Sequence, residues 1–166
     1  MPNIVRASAI GHLMLFGIGV DIVHLPRIAA IVKRHASHKF ARRILSAKEL
    51  EQWSCLQGAD DPKQVRFLAV RWAVKEAVYK ALYPTIKPTW KELTFLGLSP
   101  SGEKPTVSFV SPTQDVNQKI GPIHVSVSHD SDYAVAYVAV EQFCEDDLSL
   151  ETQTTGLERG SANRLC

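Results

Sequence analysis

The sequence predicts one α+β domain, because helix signals crowd its first half, strand signals fill its second, and a single long helix divides them. Residues 15–23, LFGIGVDIV, form a short apolar run that reads as the opening strand. Pro26 then stands where a first helical residue is favoured, and Ile28, Ile31 and Val32 follow at helical spacing. Residues 40–45 read as a short helix or turn. Ser46-Ala47-Lys48-Glu49 is a capping box that opens a helix through Leu50 and Trp53.

The strongest element runs from Asp61-Pro62-Lys63-Gln64 to about Leu82. Its apolar side chains occupy two faces, Val65, Leu68, Ala69, Trp72 and Tyr79 on one, Phe67, Val70, Val74, Ala77, Val78 and Ala81 on the other. A helix apolar nearly all round belongs inside the domain. After the Pro84 to Pro88 break, strands are expected at 93–98, 106–110, 123–128 and 133–140, with a turn at 99–104 and a tight hairpin loop at 129–132. The expectation is therefore N-terminal helices and a long buried central helix packed on a small, mostly antiparallel sheet. Residues 1–14 read as an N-terminal extension, 15–141 as the domain, and 142–166 as a polar, unpatterned and disordered tail.

Composition narrows the function. A net charge of +2 over 166 residues gives no argument for nucleic-acid binding. Cys55, Cys144 and Cys166 are odd in number and form no CxxC, so neither a disulfide framework nor a zinc site is favoured. The apolar run near the N-terminus is too short to span a membrane. Charge is unevenly spread, however. Arg27, Lys33, Arg34, Lys39, Arg42 and Arg43 fall in a stretch that holds no acid.

Several polar and charged residues sit where a core does not want them. Glu76 lies on the Val65, Ala69, Trp72 and Tyr79 stripe, where a carboxylate is costly unless paired. It has two readings, a salt bridge to Lys80 four residues on, or a metal ligand. Asp21 interrupts an apolar strand on the face opposite Val20 and Ile22. It either caps the helix near Pro26 or joins Glu76 on a hard cation, which takes carboxylates together with phosphates and water. Arg66, Arg71, Lys75 and Lys80 flank Glu76, as snorkelling cations or as phosphate binders. In the strand at 123–128, His124, Ser126 and Ser128 share one face, and His129 begins the loop beyond. A Ser-His hydrolase is excluded, since no nucleophile elbow accompanies them.

Three blocks in order, Gly17-Ile18-Gly19-Val20-Asp21, then Arg66-Phe67-Leu68-Ala69-Val70-Arg71-Trp72-Ala73-Val74-Lys75-Glu76-Ala77 with Lys80-Ala81, then Val127-Ser128-His129-Asp130, resemble the holo-acyl carrier protein synthase type of 4′-phosphopantetheinyl transferase. The resemblance covers roughly residues 15–140 and implies that fold. It implies transfer of 4′-phosphopantetheine from coenzyme A to a serine of an apo acyl carrier protein, in fatty acid biosynthesis, with release of 3′,5′-adenosine bisphosphate. It makes Asp21 and Glu76 the ligands of Mg²⁺ and Lys80 a catalytic neighbour of the phosphates. Arg71, Lys75, Ser128 and His129 become contacts for coenzyme A. Arg27, Arg42 and Arg43 become the docking surface for the acidic carrier, where electrostatics steer the encounter. A homotrimer with active sites between subunits is implied as well.

The chain departs from the bacterial pattern in two places. Bacterial members carry a glycine-rich turn after the lysine that Lys80 matches, whereas this chain continues Ala81-Leu82-Tyr83-Pro84-Thr85. Residues 111–121 read as short and helix-poor where bacterial members have a helix. Lys80-Ala81-Leu82-Tyr83-Pro84 with Trp90-Lys91-Glu92-Leu93 resembles eukaryotic, particularly fungal, members, which implies a mitochondrial address. The alternative is a non-catalytic coenzyme A or nucleotide-binding protein of the same fold, which an Asn or Gln at position 21 or 76 would have supported.

Overall fold

The computed structural model describes residues 13–56, 61–97 and 102–143. Strand β1 (Leu13–His24) runs antiparallel to β5 (Tyr133–Phe143), and β5 runs antiparallel to β4 (Ile120–Asp130), giving a three-stranded sheet ordered β1-β5-β4. A second sheet pairs β2 (Leu93–Leu96) with β3 (Thr106–Phe109), also antiparallel. The expected single sheet is thus two.

Helix α4 (Asp61–Leu82) has the bounds its sequence signals and lies against β1 and β5. Leu68, Ala69, Ala73, Val74, Ala77, Val78 and Leu82 are sealed from solvent along it. Alternation places Ala134, Ala136, Val138 and Val140 of β5 under the helix, together with Gly17, Gly19, Asp21 and Val23 of β1. Two of these glycines are required by distance. A Cβ at Gly17 would stand 2.2 Å from the Ala81 carbonyl oxygen, and one at Gly19 would stand 1.9 Å from that of Ala77. The strand therefore touches the helix backbone to backbone, which brings the next inward residue, Asp21, within side-chain reach of α4.

The N-terminal helices cross the other side of α4. Helix α1 (Leu25–Ile31) carries Pro26 in its first turn, as expected, and passes through a π-helical turn (Val32–Ala36) into α2 (Ser37–Ile44). Helix α3 (Ala47–Ser54) opens on the predicted capping box. The Glu49 backbone N–H donates to Ser46 Oγ at 3.4 Å, and the Ser46 N–H donates to Glu49 Oε2 at 2.8 Å.

Several expected boundaries are corrected. The stretch 111–121 holds a helix after all, α5 (Gln114–Lys119), which buries no residue and so leaves no apolar period to read. Its start is tied by Asn117, whose side chain accepts from the Ser111 N–H and donates to the Ser111 carbonyl, both at 2.7 Å. The hairpin loop shrinks to Ser131 and Asp132, with Ser131 at φ 48°. Strand β1 begins at Leu13, and β5 takes in Gln142 and Phe143, which by composition belong with the tail. The rest of the tail, most of the N-terminal extension and the first part of the turn at 99–104 lie outside the described residues. Among the described residues no helix is long and apolar enough to cross a membrane.

Candidate active site

Two charged clusters form on opposite sides of α4. The first is built by the glycine contact. Asp21 is held next to the C-terminal half of the helix, where Lys80 Nζ donates to Asp21 Oδ1 at 2.8 Å and to the Val20 carbonyl at 2.9 Å. Glu76 precedes Lys80 by one turn and is half-buried. Burial pushes its carboxyl above the usual range, the nearby Asp21 charge pushes it further, and Lys80 works against both. Lys80 thus contacts Asp21, and Glu76 lies within electrostatic reach of both.

The pairing within this cluster differs from either simple reading. Lys80 bridges across to the strand at Asp21 rather than back along its helix to Glu76. Asp21 does not cap α1 either, since His24 occupies that position and no side chain caps it. An ammonium carries three donors, and Lys80 uses two while its side chain is 50% exposed, which leaves one donor to offer a ligand. Beside Glu76 opens a cavity of about 210 Å³ lined by Lys75, Glu76, Tyr79, Pro88, Trp90 and Leu93.

The second cluster was not expected. Glu49, read from the sequence only as half of a capping box, is fully buried. Its Oε2 accepts from Lys75 Nζ at 2.6 Å and its Oε1 accepts from the Phe95 N–H at 3.0 Å. Lys75 is 1% exposed, and its two remaining donors go to the carbonyls of Ile44 (2.7 Å) and Trp90 (2.9 Å). Arg71 is buried too. It donates to Gln52 Oε1 at 2.8 Å, lies 3.8 Å from Glu49 and rests its guanidinium 3.3 Å from the centre of the Phe67 ring. Burial lowers the Lys75 ammonium and lowers Arg71 to about 10, with Glu49 opposing each. Arg71 and Lys75, expected at coenzyme A, both turn towards α3. Two signals for this network stood in the sequence, a lysine on a buried helix and a capping glutamate before it. Their partnership did not, because it joins residues far apart in the chain.

The remaining predicted residues lie elsewhere. Ser128 pairs with Val135 on the outer face of the sheet, opposite the face that carries Asp21. His129 is exposed at the hairpin end of β4. Arg27, Arg42 and Arg43 are exposed on α1 and α2. The Arg27 guanidinium lies 6.0 Å from the Trp72 ring, which packs between Phe40 (5.4 Å) and Trp90 (4.8 Å). An aromatic row thus leads from the basic helices to the wall of the cavity beside Glu76.

The donor set at Asp21 and Glu76 fits a hard cation. Asp21 stands close enough to disfavour the charge of Glu76, and a divalent ion between them would relieve it. No group of three or more His, Cys, Asp or Glu occurs among the described residues, so the other ligands would come from phosphate and water, as Mg²⁺ prefers.

Comparison with known proteins shows the family. Residues 17–138 match the 4′-phosphopantetheinyl transferase superfamily, and the chain belongs to it. A holo-[acyl-carrier-protein] synthase of Bordetella pertussis is 36% identical over 128 residues, covering 76% of this chain and 82% of that one. The crystal structure of the holo-[acyl-carrier-protein] synthase of Neisseria meningitidis superposes with a TM-score of 0.61 at 31% identity, covering 76% of this chain and 98% of that one. The synthase of Bacillus anthracis, solved in complex with coenzyme A (3′,5′-ADP), gives a TM-score of 0.59 at 28% identity and covers 77% and 97%. All three are bacterial, so the expected fungal and mitochondrial affinity finds no support in them.

Proposed function

We propose that the chain is a holo-acyl carrier protein synthase, transferring 4′-phosphopantetheine from coenzyme A to a serine hydroxyl of an apo acyl carrier protein. The observation that carries the reading is the convergence of Asp21, Glu76 and Lys80 at the seam between β1 and α4. The serine oxygen attacks the β-phosphate, and 3′,5′-adenosine bisphosphate leaves. Such a transfer asks the protein chiefly for positioning and for neutralisation of charge.

Each residue has a part that its surroundings define. Asp21 and Glu76 would hold Mg²⁺, which when bound offsets negative charge on the phosphates. Lys80, tethered by Asp21 and the Val20 carbonyl, presents its remaining N–H to a phosphate oxygen from a fixed point. Arg27, Arg42 and Arg43 form a cationic face on α1 and α2 that suits an acidic carrier. The outer face of the large sheet supports self-association, as a homotrimer in the proposal. Ile18, Val20, Ile22, Tyr133 and Tyr137 are between 46% and 61% exposed there, a patch that a lone soluble domain rarely leaves open. Ser128 lies on that same face, so association would turn it towards a neighbouring copy, whereas His129 pairs with Ala134 on the helix-facing side at the hairpin end. A mitochondrial compartment stays in the proposal on the residue 80–84 and 90–93 patterns alone, and fractionation of the source cell tests it.

The test is a mass measurement on apo carrier protein incubated with coenzyme A, Mg²⁺ and the enzyme. The carrier should gain about 340 Da, one phosphopantetheine, and the gain should vanish with EDTA, since charge neutralisation is the metal's task. Binding of coenzyme A with no gain on any of several carriers would instead establish the non-catalytic alternative.

A further inference from the structure

Lys75 stands next to Glu76 in the chain, yet it has nothing to offer a ligand. Its side chain is 1% exposed, and its three donors end on Glu49 Oε2 (2.6 Å), the Ile44 carbonyl (2.7 Å) and the Trp90 carbonyl (2.9 Å). These acceptors come from three separate pieces of chain, the end of α2, the first turn of α3 and the segment leading into β2. Glu49 is itself fixed by the Ser46 and Phe95 backbone N–H groups.

Three acceptors around one ammonium determine how α4 is turned about its axis. The contact of Gly17 and Gly19 with the Ala81 and Ala77 carbonyls sets the spacing of helix and strand on the other side. Spacing alone leaves rotation free, and rotation decides where Glu76 points. Side-chain ends lie about 5–6 Å from a helix axis, so a turn of about 10° moves one by about 1 Å. A misplacement of that size can cost about a hundredfold in rate. The same ammonium holds the carbonyl of Trp90, whose side chain walls the cavity beside Glu76.

We propose that Lys75, through Glu49 and the Ile44 and Trp90 carbonyls, is a positioning residue that orients Glu76 and the Trp90 wall without touching coenzyme A or carrier. The inference rests on the transferase reading given above. Its test uses two variants. Glu49→Gln combined with Lys75→Met removes both charges of the pair, and Arg71 keeps its bond to Gln52. Lys75→Arg keeps the cation, but its planar fork cannot reach three acceptors arranged around a point.

Steady-state kinetics are measured well below each variant's melting midpoint. The double variant should lose about tenfold or more in kcat while its KM for coenzyme A stays within about twofold. Lys75→Arg should show the same split with a smaller loss, and it decides the matter if the double variant fails to fold. A raised KM for coenzyme A at unchanged kcat would make Lys75 a ligand contact and overturn the proposal. A lowered melting midpoint with both kinetic constants intact would overturn it too, leaving a purely structural role. An inactive wild-type enzyme would strike the transferase reading itself, separately from either result.

Discussion

The two sides of α4 show what burial does to the same chemistry. Each side joins a helix lysine to a carboxylate from another element, Lys75 to Glu49 and Lys80 to Asp21, with nitrogen–oxygen distances of 2.6 and 2.8 Å. Towards α3 the pair is sealed, at 1% and 0% side-chain exposure, and every lysine donor is used. Towards β1 the pair is open, at 50% and 15%, with the half-buried Glu76 carboxylate beside it. Closed charges of this kind hold segments in place. Open ones, with one lysine donor left over and a second carboxylate alongside, can take a phosphate and a metal. Five residues apart on one helix, the two lysines therefore serve different ends.

Substitutions should separate the two sides. The largest effect is expected from Glu76→Gln, which should lower transferase activity on the order of 10³-fold, the scale of losing several kcal/mol of metal-assisted charge stabilisation. A carrier mass assay measures it, and urea unfolding should show stability preserved. Lys75→Met should do the reverse first. It strands Glu49 in the core and should cost about 3–5 kcal/mol, read as a lowered urea midpoint. Equal stability losses for both variants would erase the contrast.

A smaller effect tests the seam itself. Gly19→Ala places a methyl against the Ala77 carbonyl and should cost about 1–3 kcal/mol by overpacking, with a weakened Mg²⁺ response because α4 must back away from Asp21. Calorimetric titration of Mg²⁺ into the enzyme with coenzyme A measures the second part. Unchanged stability would show that the strand and helix are not in contact there.

The smallest effect is a pH signature. The folded-state pKa of Glu76 is raised above 4.5, so its ionisation opposes folding once pH climbs through the folded value. Glu76→Gln, in EDTA, should therefore melt slightly higher than wild type near neutral pH. The gain should shrink as acid protonates Glu76 and be absent below its ordinary pKa of 4.5. A gain that persists there would assign it to packing.

Much of this is legible in the sequence itself. The bounds of α4 follow from its cap and its apolar faces, and Asp21 and Glu76 stand out because a carboxylate on an apolar surface needs a reason. The glycine pair flags a special strand, although only the distances to Ala77 and Ala81 show what the glycines permit. Other features are hidden by their physics. A buried lysine and a solvent-facing one look alike in sequence, so Lys75 and Arg71 fall into one group with Lys80. Glu49 is explained too easily, since a capping box accounts for its presence without requiring the Phe95 and Lys75 contacts it also makes. Helix α5 buries nothing, so no period announces it.

The pairing of β1 with β5 has a consequence for how the molecule comes to exist. These neighbours in space, Leu13 against Phe143 and His24 against Tyr133, are the first and last strands of the described chain. During synthesis β1 and α4 emerge long before the strand that completes their sheet. Until β5 arrives, the edge of β1 that it pairs with stays open and the apolar face of α4 that it covers stays bare. Folding of this topology is governed by distant contacts and should be slow for its size. A newly made chain is thus most prone to aggregation just before the enzyme becomes complete.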